Sequence, residues 1–161
     1  MIKKIIIGLI TAALVYSCIN LLDEDKLVYN SYVEELKELK KTNTAKEIVD
    51  VDIELEKSEN NEITYRVTID NPKEEMKDVE AIVYHNEEPQ DTYPSVGVFN
   101  EKVNLIPGLE ENDNEDKEEV VLIGHIKTKE LVENLDPTMK VMILYNNEDN
   151  ERQKIYYTKT L

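Results

Sequence analysis

Val49-Asp50-Val51-Asp52-Ile53-Glu54-Leu55-Glu56 alternates apolar and acidic residues without a break, and Ile63-Thr64-Tyr65-Arg66-Val67-Thr68-Ile69-Asp70 alternates again after the turn Ser58-Glu59-Asn60-Asn61. Successive side chains of an extended chain point to opposite faces. A period of two therefore reads as a strand with one buried and one wet face. Asp70-Asn71-Pro72 ends the second strand, because proline has no N–H to give to a central ladder.

Toward the C-terminus the same logic yields short strands separated by polar turns. Val79 to His85 predicts a third strand with Val79, Ala81 and Val83 on one face. Asn86 to Pro94 reads as loop, and Val96–Phe99 and Val103–Ile106 as short extended pieces ending at Pro107-Gly108. Glu110 to Glu119 is an acidic loop. The run Val120-Val121-Leu122-Ile123 opens a strand to Ile126 that is expected to be buried on both faces. Thr128 to Leu135 reads as one or two helical turns stopped by Asp136-Pro137, and Met139–Tyr145 with Lys154–Thr160 as a closing hairpin. About seven short strands in roughly 115 residues, with one short helix among them, fit an antiparallel two-sheet sandwich and not a parallel α/β fold.

Toward the N-terminus the period becomes helical. Tyr29, Tyr32, Leu36 and Leu39 recur at spacings of three and four among charged residues, so residues 23–41 predict a helical stalk and Thr42-Asn43-Thr44 a short linker. Before the stalk, Lys3 and Lys4 lead an uncharged run from Ile5 to Leu22, closed by Asp23-Glu24-Asp25. Three readings fit residues 1–22. They match a cleaved secretory signal, a lipoprotein signal ending at Cys18 in Val15-Tyr16-Ser17-Cys18, or an uncleaved anchor. As a helix, residues 5–22 would span roughly 27 Å, close to the hydrocarbon thickness of a bilayer. Basic residues before the run and acidic ones after it orient all three alike, with residues 23–161 outside the cytoplasm. The expected division is residues 1–22 as signal or anchor, 23–45 as stalk and linker, and 46–161 as the β-domain.

Charge narrows the partners. Lys3 and Lys4 are the only charged side chains in the first 22 residues, so the formal charge of −16 for the chain becomes −18 for residues 23–161. A body this acidic repels phosphate backbones, which argues against nucleic-acid binding. The single cysteine, Cys18, lies in the apolar run and is a candidate for lipidation, so the body has no disulfide.

Candidate chemistry is sparse. His85 and His125 are the two histidines, and a zinc site would need both with a carboxylate such as Glu87 or Glu88; no HExxH spacing supports one. Asn112 to Asp116 clusters oxygen ligands as calcium prefers, without the glycine of a calcium loop, and Asn146 to Glu151 has the composition of a hairpin tip. No Gly-x-Ser-x-Gly occurs, Ser95 has no evident base, and four glycines make no phosphate loop. Tyr84, Tyr93, Tyr145, Tyr156 and Tyr157 read as core filler in a chain with one Phe and no Trp, with interface contact as the other use of tyrosine.

The run Val67-Thr68-Ile69-Asp70-Asn71-Pro72, then Met76-Lys77-Asp78-Val79-Glu80-Ala81-Ile82-Val83-Tyr84, then Pro107-Gly108 before a late strand resembles the immunoglobulin-like domains of Gram-positive surface lipoproteins. The likeness covers about residues 48–160. It implies an Ig-like sandwich on the outer face of a cell membrane and carries over no binding residue. The expectation is a mainly β protein of antiparallel Ig-like type. It is membrane-anchored through residues 5–22 and acts as a non-catalytic interaction module for a protein, peptide or envelope component outside the cytoplasm, with no cofactor, metal or catalytic residue assigned. Two other readings stay open: an accessory subunit of a membrane complex, and an extracytoplasmic metal-binding protein or enzyme.

Overall fold

The computed structural model describes residues 26–57, 62–87, 95–99, 103–108, 116–117, 119–128 and 131–161. The apolar run 5–22 and Cys18 lie outside them. Among the described residues, no helix is long and apolar enough to cross a membrane. Two units are distinguished, residues 1–35 and 36–161. In the first, residues 26–35 are helical, and that helix ends at residue 38.

The second unit is mainly β. Its strands are β1 (Asp50–Lys57), β2 (Glu62–Asp70), β3 (Lys77–His85), β4 (Ser95–Val98), β5 (Asn104–Leu105), β6 (Asp116–Lys117), β7 (Glu119–Lys127), β8 (Thr138–Asn146) and β9 (Arg152–Thr160). Seven of them form two antiparallel sheets, ordered β1-β2-β7 and β4-β3-β8-β9, while β5 and β6 make a short parallel pair. The chain leaves the first sheet after β2 and returns to it for β7. The hairpin partners β1–β2, β3–β4 and β8–β9 share a sheet, and the chain changes layer after β2 and after β7.

Both sheets contribute to one core. Ile53, Ile63, Tyr65, Val67, Ile69, Leu122 and Ile126 face Val79, Ala81, Val83, Met139, Val141, Ile143 and Ile155, and all of them are buried. These are the apolar members of each alternating run, which is why the period of two positioned them. Pairing is regular from Asp50 opposite Asp70 to Lys57 opposite Ile63, and from Glu62 opposite Lys127 to Asp70 opposite Glu119. A one-residue slip in either ladder would turn carboxylates into the core, so the pattern itself fixes the register.

Three expectations are corrected. Strand β7 is buried on one face only: Val120, Leu122 and Ile126 point inward, while Ile123 is 47 % exposed. It lies at the edge of its sheet, and among the described residues none buries its outward Ile123. Within Thr128 to Leu135, the described residues form a single 3-10 turn, Val132–Asn134, and not a helix. The stalk helix stops at residue 38, before Leu39 to Lys41.

The four-stranded sheet differs from a one-sided sheet in the opposite sense. Ile82, Met142 and Leu144 alternate with core residues and so face outward, yet they are 0 %, 0 % and 3 % exposed. Leu36 is also fully buried, and the Lys37 carbonyl accepts a 2.7 Å hydrogen bond from Lys140 Nζ in the same outer row. An ammonium on a carbonyl at a helix C-terminus satisfies a group that has no partner within the helix and complements the helix dipole.

Candidate functional site

The two histidines lie on opposite faces of the first sheet. His85 ends β3 pointing inward, is fully buried, and sets its ring edge-on to Tyr65 at 5.6 Å. His125 stands outside on β7, where its Nδ1 lies 3.2 Å from Thr64 Oγ1 across the ladder. Thr64 and Tyr65 are successive residues of one strand, so the histidines that a zinc site would need are not brought together. Among the described residues, no three His, Cys, Asp or Glu side chains gather as metal ligands. The Thr64–His125 contact is a hydroxyl–imidazole pair that sequence spacing could not reveal, since 61 residues separate its members. Glu56 follows in the same row but sits beside Thr64, not beside the imidazole it would have to orient as in a catalytic triad. Glu56 and His125 are exposed in this row and Thr64 is half-buried.

The remaining candidates fall in structural places. Ser95 opens β4. Glu88, Tyr93 and Asn112 to Glu115 lie outside the described residues. Asn146 to Glu151 is the β8–β9 turn, tied by its own atoms: Asn147 Oδ1 accepts from the N–H groups of Asp149 and Glu151. Tyr84 and Tyr145 are buried, and Tyr156 and Tyr157 half-buried, so filling dominates for the first pair.

Polar groups concentrate at the end of the molecule where β3 and β9 begin. Asp78 adopts a left-handed conformation, φ 48°, where the β3–β8 register shifts between Lys77 and Glu80. Its N–H donates to Asn104 Oδ1, its carboxylate accepts from Asn146 Nδ2, and its carbonyl accepts from Arg152 Nη1. Arg152 Nη2 also reaches Glu80 Oε2 at 2.5 Å. Nearby in sequence, Asn71 (φ 49°) donates to Asp50 Oδ2 at 2.6 Å, and Lys73 approaches the same carboxylate at 3.3 Å. The hydrogen bond from Asn71, with the Lys73 ammonium adding to it, holds the Asp50 carboxyl below the usual range. These bonds fasten the crossover from β2 to β3 and the bulge that follows. They are built from residues whose side chains tolerate the left-handed region.

Two tyrosines are perturbed. Tyr145 is pushed well above the ordinary phenol range by burial, and the hydrogen bond it donates to Glu74 Oε1 at 2.7 Å acts in the same direction. Burial raises Tyr157 too, helped by the charge of Asp52.

The most distinctive local arrangement is at the free side of β9. Thr42-Asn43-Thr44, expected to be a plain linker, runs antiparallel beside it, with Asn43 bridged to Tyr157. Thr158 N–H donates to Asn43 Oδ1 and Tyr156 N–H to Thr44 Oγ1, each at 2.9 Å. Short polar side chains here take the place of a neighbouring strand. An edge covered in this way is closed to other chains.

Compared with known protein families, curated proteins and solved structures, the chain matches none.

Proposed function

We propose that this chain is a membrane-held, non-catalytic interaction module of the immunoglobulin-like class, displayed outside the cytoplasm, where it contacts a protein, peptide or envelope component. The observation that carries it is the order of the chain: Lys3-Lys4, an uncharged run from Ile5 to Leu22, Asp23-Glu24-Asp25, and then an acidic β-domain. That order is how an exported and tethered domain is written.

Strand order supports the class. The order β1-β2-β7 and β4-β3-β8-β9 supports reading β1, β2 and β7 as strands A, B and E of an Ig-type sandwich and β3, β8 and β9 as C, F and G. The fourth strand, β4, pairs with β3 and not with the three-stranded sheet, as in the fibronectin type III variant. Such sandwiches serve many functions, so the class speaks to architecture and the leader to place.

Crosslinking on intact cells tests the module directly. A captured partner above the background of a tag-only control is expected, and a clean survey with none contradicts the reading. Fatty-acid labelling of the chain and of Cys18→Ala identifies the tether: incorporation lost in the variant marks a lipid, and no incorporation in either, with the chain recovered in the membrane fraction, marks the helix, whereas recovery in the medium marks a cleaved signal.

A further inference from the structure

We propose that residues 36–45 are a fixed mount on the β-domain and not a slack stalk, and that the short connection this leaves confines the domain to a partner embedded in the same membrane. The proposal rests on the reading of residues 5–22 as a tether and names the class of partner for the module.

The mount is fastened at both ends. At its start, Leu36 is fully buried and the Lys37 carbonyl accepts from Lys140 Nζ at 2.7 Å. At its end, Ala45 is fully buried and its carbonyl accepts from the N–H groups of Ile48 and Val49 at 2.8 and 2.9 Å. Just before it, Asn43 Oδ1 and Thr44 Oγ1 accept from the N–H groups of Thr158 and Tyr156. Lys140 and Thr158 stand opposite each other in the β8–β9 ladder, so Lys37 and Asn43 are tied to the two members of one rung. Several of these contacts must be undone together before the segment comes away.

The mount shortens the reach of the domain. A slack chain over residues 23–45 would allow a separation of about 80 Å from the end of the apolar run, at roughly 3.4 Å per residue. With the chain fixed from Leu36 onward, residues 23–35 remain, and 26–35 are helical. Helical residues rise about 1.5 Å each, so this connection spans at most about 30 Å. A domain of this size is roughly 35–40 Å across, which keeps all of its surface within about 70 Å of the lipid. The lipid itself is a poor partner, because residues 23–161 carry a formal charge of −18 that anionic headgroups repel. The apolar surface on offer is also small. Among the described residues of the second unit, the exposed large apolar side chains are Ile123 and Leu131. An interface with so little to bury is weak between freely diffusing molecules. Holding both partners in one thin layer raises their effective concentration without any new contact, and a membrane-embedded protein meets that condition.

The test has two arms, both on the full-length chain. For the mount, the chain in detergent micelles is treated with trypsin, and cutting after Lys40 or Lys41, both exposed, is followed by fragment mass. A fastened segment must open before it is cut, so the parent is expected to be cut there about tenfold more slowly than Lys140→Met/Asn43→Gly. Should that pair fail to fold, Lys140→Met alone takes its place, with an expected rise of a few-fold. Equal cutting in parent and variant overturns the mount and the proposal with it. For the partner, crosslinks formed on unbroken cells are recovered, and the captured protein is tested for release from membranes by alkaline carbonate. The expected partner resists carbonate, and its capture falls about tenfold or more when residues 1–22 are exchanged for a cleaved secretory signal. A partner that carbonate releases, crosslinks to lipid alone, or equal capture by the secreted chain overturns the proposal and leaves the module reading standing. Capture of no partner overturns both, and release of the parent chain itself by carbonate marks the tether as the part that failed.

Discussion

Tyr65 shows how one residue decides its neighbour. Its ring is fully buried and lies across the ladder over Gly124, where an added Cβ would run into the ring atoms. A glycine in a strand interior weakens it unless something packs in the space, and here an aromatic ring does. Gly124→Ala is expected to destabilise the domain by about 1–3 kcal/mol in urea unfolding. Combined with Tyr65→Leu it should cost less than the sum of the two changes, because the ring it strikes is gone. A second prediction concerns Tyr145. Its folded pKa is raised above the value of 10.0 for a free phenol, so its contribution is fully present below pH 10 and lost as the pH climbs above it. Stability measured against pH should fall above about pH 10, and Tyr145→Phe should flatten that fall while costing about 1 kcal/mol at neutral pH through the lost bond to Glu74.

Among the elements, β3 and β7 separate what the pattern carried from what it could not. The bulge at Asp78 is invisible to periodicity, since it depends on Asn104, Asn146 and Arg152 arriving from three other segments. Asp78→Val places a β-branched residue in the left-handed region and removes the carboxylate bond, with an expected loss of about 1–3 kcal/mol. On β7 the exposed Ile123 contrasts with its neighbours: Ile123→Thr should stay within about 0.5 kcal/mol of the parent, whereas Leu122→Ala should lose about 2–5. An apolar run of four residues is consistent with burial on both faces, but the neighbours that β7 lacks are a property of the assembled sheet. The opposite holds at Ile82, Met142 and Leu144. Each looked like an outward position by alternation, and each is covered. Local alternation marked the long strands and which face of β1 and β2 is wet, whereas the two-residue β6, Asp116–Lys117, falls in a stretch that composition reads as an acidic loop. Edges, bulges and second buried layers depend on contacts between segments far apart in sequence, from 26 residues for Asp78–Asn104 to 103 for Lys37–Lys140.

At the scale of the whole molecule, the mainly β architecture with two antiparallel sheets was readable because runs of period two recur between polar turns, with one short helical pattern among them. The candidate site was less readable. The histidines were visible as residues, but their separation on two faces of β2 follows only from the fold. The cover on the edge of β9 comes from Asn43 and Thr44, in a stretch that composition marks as a linker. The central claim is that the basic-apolar-acidic leader carries this acidic β-domain through a membrane and holds it on the far side. The direct measurement is digestion of a C-terminally tagged full-length chain by protease added to unbroken cells. The account predicts loss of the tag before lysis; a tag that survives outside treatment and is removed only after lysis would contradict it.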